Sequence, residues 1–101
     1  MPEDVGAPEG FLREIGATAT EFERGLRLAV PGGVVSPRPG ALRVEQGGVT
    51  LEVDLTELPE RRMGLFRLPV LRARLRFLSG DVPARQSLLA RIDRAMQRGG
   101  G

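Results

Sequence analysis

The most regular polar pattern in this sequence is a stripe of arginines at every second position, Arg72, Arg74 and Arg76. On a β-strand, residues two apart project from the same face about 7 Å from one another. A planar guanidinium binds phosphate or carboxylate groups through paired hydrogen bonds. The stripe therefore predicts a surface for nucleic acid, an acidic protein or another anion.

A second set of polar residues follows the spacing of a helix near the C-terminus. Ser87, Arg91, Arg94 and Arg98 stand at positions i, i+4, i+7 and i+11, so a helix would place them on one face. The predicted anion-binding or partner-binding residues of the whole chain are Arg72, Arg74, Arg76, Arg91, Arg94 and Arg98.

Ion pairs within the sheet are the alternative interpretation of the arginine stripe, and the one that the charge distribution favours. Residues 1–60 hold 5 Arg against 11 acids, a net charge of −6, whereas residues 61–101 hold 10 Arg against 2 acids, a net charge of +8. Glu21 and Glu23, or Glu52 and Asp54, could lie opposite the stripe in an antiparallel sheet. Each exposed pair would contribute only about 0.2–1 kcal/mol.

The composition lacks most of the residue types that enzymes use for catalysis. The chain contains no His, Cys, Lys or Tyr, which excludes imidazole, thiolate and Schiff-base chemistry and leaves the serines without an activating base. Glu52 and Asp54 are the best pair for Mg²⁺ or acid–base work, but alternating acids on a strand are usually only solvated. We therefore expect no enzyme activity, no cofactor and no metal.

Size and composition fit one globular domain. The chain has 101 residues, of which 41% are hydrophobic and 28% charged. All 15 basic residues are arginine, and Lys and Asn are both absent, which indicates a bacterium with a GC-rich genome. No segment has the pattern of a signal peptide or the roughly 20 apolar residues of a membrane span. We expect a cytoplasmic protein.

The N-terminal half is predicted from apolar spacing and from turn residues. Residues 1–10 are expected to be a flexible leader, because they are rich in Pro, Gly and acids. Helical spacing predicts a short helix over residues 11–17, and alternation predicts a strand over residues 21–30. Residues 31–40 hold so many Pro and Gly that we expect a loop with no regular element.

The C-terminal half carries the clearer patterns. Two alternating runs, residues 41–45 and 49–55, flank Gln46-Gly47-Gly48 and predict a β-hairpin. We expect a turn at residues 58–60, followed by a strand over residues 61–68 and a second strand over residues 71–77, where apolar and charged residues alternate. Apolar residues at helical spacing then predict a helix over residues 82–98, with Asp81 as its N-cap. Residues 99–101 are expected to be a flexible tail. Pro69 is expected at a turn or on a sheet edge, because it cannot donate to a strand ladder.

These elements define the expected fold and function class. We expect an α+β domain at residues 11–98, in which the C-terminal amphipathic helix packs on one face of an antiparallel sheet of four to five strands. With catalysis disfavoured, the leading hypothesis is a protein-interaction domain that uses a sheet edge or the helix face to form a homodimer or to bind another bacterial protein. The alternative is a nucleic-acid-binding accessory protein that uses the arginines of strand and helix. A metal-dependent enzyme using Glu52 and Asp54 is the third possibility.

Overall fold

The computed structural model describes the chain from residue 5 to residue 99, and its side chains as far as residue 96. Five strands and two helices follow one another along the described residues: β1 (Phe11–Ile15), α1 (Ala19–Ala29), β2 (Val34–Arg38), β3 (Ala41–Gln46), β4 (Val49–Met63), β5 (Phe66–Ser79) and α2 (Val82–Gly99). The strands form one antiparallel sheet in the order β1-β5-β4-β3-β2. This confirms the predicted α+β class with an antiparallel sheet and a C-terminal helix, and it places the other helix at residues 19–29.

Both helices pack on the same side of the sheet, and the core lies between the two layers. Phe22 and Leu26 of α1 and Ile92 of α2 are buried in one cluster with Leu51 and Leu75 from the sheet. No helix of residues 5–99 lies on the other side of the sheet, which is called the open side below. Alternation along the strands sends apolar side chains to the core and most charged ones to the open side.

The predicted helix over residues 11–17 and the predicted strand over residues 21–30 were both wrong. Residues 11–15 of the first segment form strand β1, which pairs with β5, and residues 21–29 of the second lie in α1, which Val30 caps. A capping box begins α1, because Thr18 Oγ1 accepts from Glu21 N at 3.1 Å while Glu21 Oε1 accepts from Thr18 N at 2.9 Å. These bonds satisfy backbone donors that only a helix start leaves free.

Two expected interruptions of the sheet were also wrong. Strand β2 forms inside the expected loop, at residues 34–38, and lies at a sheet edge. The expected turn at residues 58–60 does not end β4, which continues to Met63 with a register irregularity between Leu58 and Arg61. Pro69 lies opposite that irregularity, on a part of β5 that β1 does not pair with, so its missing donor leaves no ladder bond unmade.

The predicted strand over residues 61–68 was wrong too, because a turn at Gly64 and Leu65 divides this segment between the end of β4 and the start of β5. The other element predictions are confirmed. Strands β3 and β4 form the predicted hairpin, β5 contains the predicted strand at 71–77, and α2 covers the predicted helix. Asp81 caps α2, since its Oδ1 accepts from Ala84 N at 2.9 Å.

The described part of the expected leader lies against the domain. Val5 is buried in the core, and Arg85 Nη1 donates to the Val5 carbonyl at 2.8 Å. Residues 1–4 and residues 100–101, which belong to the predicted leader and tail, lie outside the described residues.

Candidate functional site

The arginine stripe lies on the open side of the sheet, where carboxylates from neighbouring strands contact it. Glu52 of β4 accepts from Arg76 at 2.5 Å through Oε1 and from Arg43 at 2.9 Å through Oε2. Arg72 lies 3.9 Å from Glu14 of β1. Arg74 donates to the backbone carbonyl of Glu9 at 3.3 Å.

The structure brings together one of the two predicted acid pairs and not the other. Glu52 lies directly across from Arg76 and Asp54 directly across from Arg74, as expected for residues on paired strands. Asp54 nevertheless forms its ion pair with Arg38 of β2, at 2.9 Å. Glu21 and Glu23 do not lie across from the stripe, because they belong to helix α1 and not to a strand that pairs with β5.

Two arginines act on the ionisation of the Glu52 carboxyl. Its pKa is lowered from its ordinary value, first by the hydrogen bond from Arg76 and then by that from Arg43. Both bonds need the charged carboxylate. The bonded carboxylate therefore stabilises the fold above the pKa that Glu52 has in the unfolded chain, and this contribution is lost as the pH falls through the lower folded-state pKa.

Replacing Glu52 should therefore weaken the fold in a way that depends on pH. We expect Glu52→Gln to lower the free energy of unfolding by about 1 kcal/mol at neutral pH and low salt, since both ion pairs lie at the surface and are only partly buried. The difference from the unmodified chain should vanish in acid. Urea unfolding at a series of pH values measures it, with Glu45→Gln as the control because Glu45 lies exposed on β3 without an ion pair in the described chain. An equal deficit at every pH would contradict the assignment.

The helix arginines lie away from the stripe. Arg91 and Arg94 line a groove between α2 and the turn that joins β3 to β4, on the side of the sheet that the helices cover. The side chain of Arg98 lies outside the described residues. The predicted site residues therefore divide between two surfaces on opposite sides of the sheet instead of forming one continuous patch.

A two-stranded arm, residues 58–70, is a surface feature that the sequence analysis missed. The ends of β4 and β5 continue past their neighbours, because β3 pairs with β4 only as far as Asp54 and β1 pairs with β5 only from Leu71. Large apolar side chains cluster at the end of the arm with high exposed fractions: Met63 at 57%, Leu65 at 101% and Phe66 at 73%.

The register assigns each arm residue to a side. Directly opposed residues of an antiparallel pair project to the same side, as do residues two apart on one strand. Met63 lies opposite Phe66, and Arg61 lies opposite Leu68. Counting back from Arg72 along β5 places Phe66 and Leu68 on the open side. Met63, Phe66 and Leu68 form what we call the apolar side of the arm.

The reverse side of the arm is basic. Arg62 and Arg67 lie directly opposite each other, and neither makes an ion pair in the described part of the chain. Like charges in this arrangement destabilise a strand pair. The arm therefore exposes apolar groups on one side and two uncompensated guanidinium groups on the other.

Within residues 5–99 no group of three or more His, Cys, Asp or Glu side chains is placed to hold a metal ion. No helix in that range is long and apolar enough to cross a membrane.

Comparison with known proteins gives no relative from which an activity could be transferred. No protein-family model matches the chain, and no curated protein has a significant sequence match to it.

Proposed function

We propose that this domain is a non-catalytic protein-interaction module that pairs with a second copy of itself through the apolar side of the arm. The observation that carries the proposal is the exposure of Met63, Phe66 and Leu68 along a ribbon of only two strands. A two-stranded hairpin is marginally stable alone in water. A contiguous exposed apolar patch is typical of a contact surface.

The charges beside this patch favour a second copy as the partner. Arg61 lies 3.8 Å from Glu14, and Arg72 lies 3.9 Å from the same carboxylate, so the border of the patch carries both signs. A two-fold contact brings one patch against its own copy, which requires self-complementarity. Apolar groups would meet apolar groups, and Arg61 of one copy could approach Glu14 of the other.

The same border is unfavourable for a polyanionic partner. Nucleic acid lying on the open side would meet Glu14, Glu52 and Asp54 as well as the arginines. The ion pairs of Glu52 with Arg43 and Arg76 also leave these guanidinium groups fewer free donors. These contacts support protein interaction over the nucleic-acid alternative.

The oligomeric state and its dependence on the arm test the proposal. We expect the unmodified chain to sediment as a dimer at high micromolar concentration, with twice the 10.9 kDa mass of one chain. The double variant Met63→Ser/Phe66→Ser should weaken the dimer at least about 100-fold, since it removes four buried apolar side chains from a two-fold contact. Its thermal unfolding should remain cooperative.

Leu28→Ser is the matched control, because Leu28 is an equally exposed apolar residue on α1, away from the arm. This variant should remain a dimer. A monomeric unmodified chain at high micromolar concentration, or a dimer that survives the arm substitutions, would refute the proposal. Binding of the monomer to a DNA fragment with steep salt dependence would instead support the nucleic-acid alternative.

A further inference from the structure

A groove of about 300 Å³ lies between α2 and the turn that joins β3 to β4. It is at the opposite end of the sheet from the arm, because β4 begins at this turn and ends in the arm. The groove therefore shares no residue with the arm.

One wall of the groove is cationic. Ser87, Arg91 and Arg94 follow the helical spacing i, i+4 and i+7, which places the hydroxyl and both guanidinium groups on the same face of α2. Neither arginine makes an ion pair or a hydrogen bond within residues 5–96, whereas those on the open side share Glu52, Asp54 and Glu14. The carboxylate that α2 itself carries, Asp93, is bound by Arg13 of β1.

The floor of the groove is apolar and the opposite wall is open. Val49 and Leu88 are buried core residues that line it. Gly47 in the turn has a positive φ of 59° and no atom within 4 Å of where a Cβ would stand, so no side chain fills this side. Gln46 also lines the groove, and its Oε1 has no hydrogen-bond partner in the described chain, so no bond to that oxygen holds the amide in place.

We propose that this groove binds a small organic phosphate, with the phosphate on Arg91, Arg94 and Ser87 and the organic part on Val49 and Leu88. Two guanidinium groups balance the charge of a phosphate dianion, and its three free oxygens can accept from both of them and from a hydroxyl. A carboxylate has one charge and two oxygens, so it would leave donors unmatched. The volume is at the lower end for ligand sites, which favours a small ester over a polymer.

Calorimetric titration with phenyl phosphate tests this site, because the probe combines a phosphate with a compact apolar ring. We expect saturable binding, about 100-fold weaker in Arg91→Gln/Arg94→Gln, because charge-assisted hydrogen bonds are lost. Inorganic phosphate and benzoate should each bind at least about tenfold more weakly than phenyl phosphate, since each lacks one of the two matched parts.

Arg62→Gln/Arg67→Gln is the matched control, because it also removes two unpaired guanidinium groups but lies on the arm. It should bind phenyl phosphate like the unmodified chain. Equal loss in the control would attribute binding to general charge and overturn the site. Absence of saturable binding, or equally tight binding of inorganic phosphate or benzoate, would overturn it as well.

Two further measurements test whether the ligand is a small molecule and whether the groove is separate from the dimer contact. A phosphotyrosine peptide that binds more tightly than phenyl phosphate would overturn the assignment to a small molecule. Sedimentation of Arg91→Gln/Arg94→Gln should give the same oligomeric state as the unmodified chain, since the groove does not include the arm. A change in that state together with loss of binding would overturn the separation of the two sites.

Discussion

Replacing Gly10 with alanine is expected to lower the free energy of unfolding by about 3 kcal/mol or more, a large share of the roughly 5–15 kcal/mol typical of a domain. Gly10 has a φ of +80°, and a Cβ at this position would stand 2.2 Å from the carbonyl oxygen of Leu75. The clash is with backbone at the point where β1 begins to pair with β5. The clash can therefore be relieved only if β1 moves away from β5.

Gly32→Ala isolates the conformational part of this effect. Gly32 has a similar φ of +77°, but nothing lies within 4 Å of the point where its Cβ would stand. This control should lose only about 1–2 kcal/mol, the cost of a left-handed conformation for a residue with a side chain. Urea unfolding followed by circular dichroism suits a chain without Trp or Tyr. Equal losses in both variants would show that Gly10 does not approach β5 this closely.

The elements that could be predicted from sequence are those whose apolar residues fit the spacing of a strand or of a helix, but not both. Alternation from Leu71 to Phe77 continues for seven residues with arginines between the apolar positions, which fits a strand and no helix. The apolar residues Leu88, Leu89 and Ile92 follow helical spacing after a strong cap at Asp81. Neither segment depends on a distant partner to choose its conformation.

The arm could not be predicted from the same rules, because the two prolines within it indicate chain breaks. Pro59 lies within the irregular part of β4 and Pro69 lies opposite that irregularity, so neither interrupts a regular ladder. Proline is tolerated at bulges and edges, but only the pairing of the two strands places both prolines there. The usable signal was Met63-Gly64-Leu65-Phe66, a glycine turn between apolar residues.

The candidate site was predictable in part for a similar reason. Strand periodicity alone places Arg72, Arg74 and Arg76 on the side opposite the core, and the network of Glu52 with Arg43 and Arg76 confirms that carboxylates of β4 lie across from the stripe. The position of Arg91 and Arg94 depends on how α2 lies on the sheet. That orientation is set by the packing of Leu88, Leu89 and Ile92 against distant strands.

Segment 21–30 was assigned to the wrong element because its apolar residues fit both the two-residue period of a strand and the 3.6-residue period of a helix. Phe22, Leu26 and Leu28 all have even numbers, so a strand would place them on one face. A helix instead turns Leu28 about 200° away from Leu26, since each residue advances about 100°. The capping box at Thr18 and Glu21 was the local signal that favours the helix.

Alanine substitutions at Leu26 and Leu28 distinguish these two conformations directly. Leu26 is 0% exposed and Leu28 is 74% exposed, although they are two residues apart. We expect Leu26→Ala to lower the free energy of unfolding by about 2–5 kcal/mol through a core cavity. Leu28→Ala should change it by less than about 0.5 kcal/mol, because an exposed residue loses no packing and alanine favours helix. Equal losses, measured by urea unfolding at a concentration low enough to keep the chain monomeric, would indicate that both leucines share a buried face, as on a strand. A loss at Leu28 that appears only at high protein concentration would place Leu28 in a contact between copies and would displace the arm from the proposed dimer.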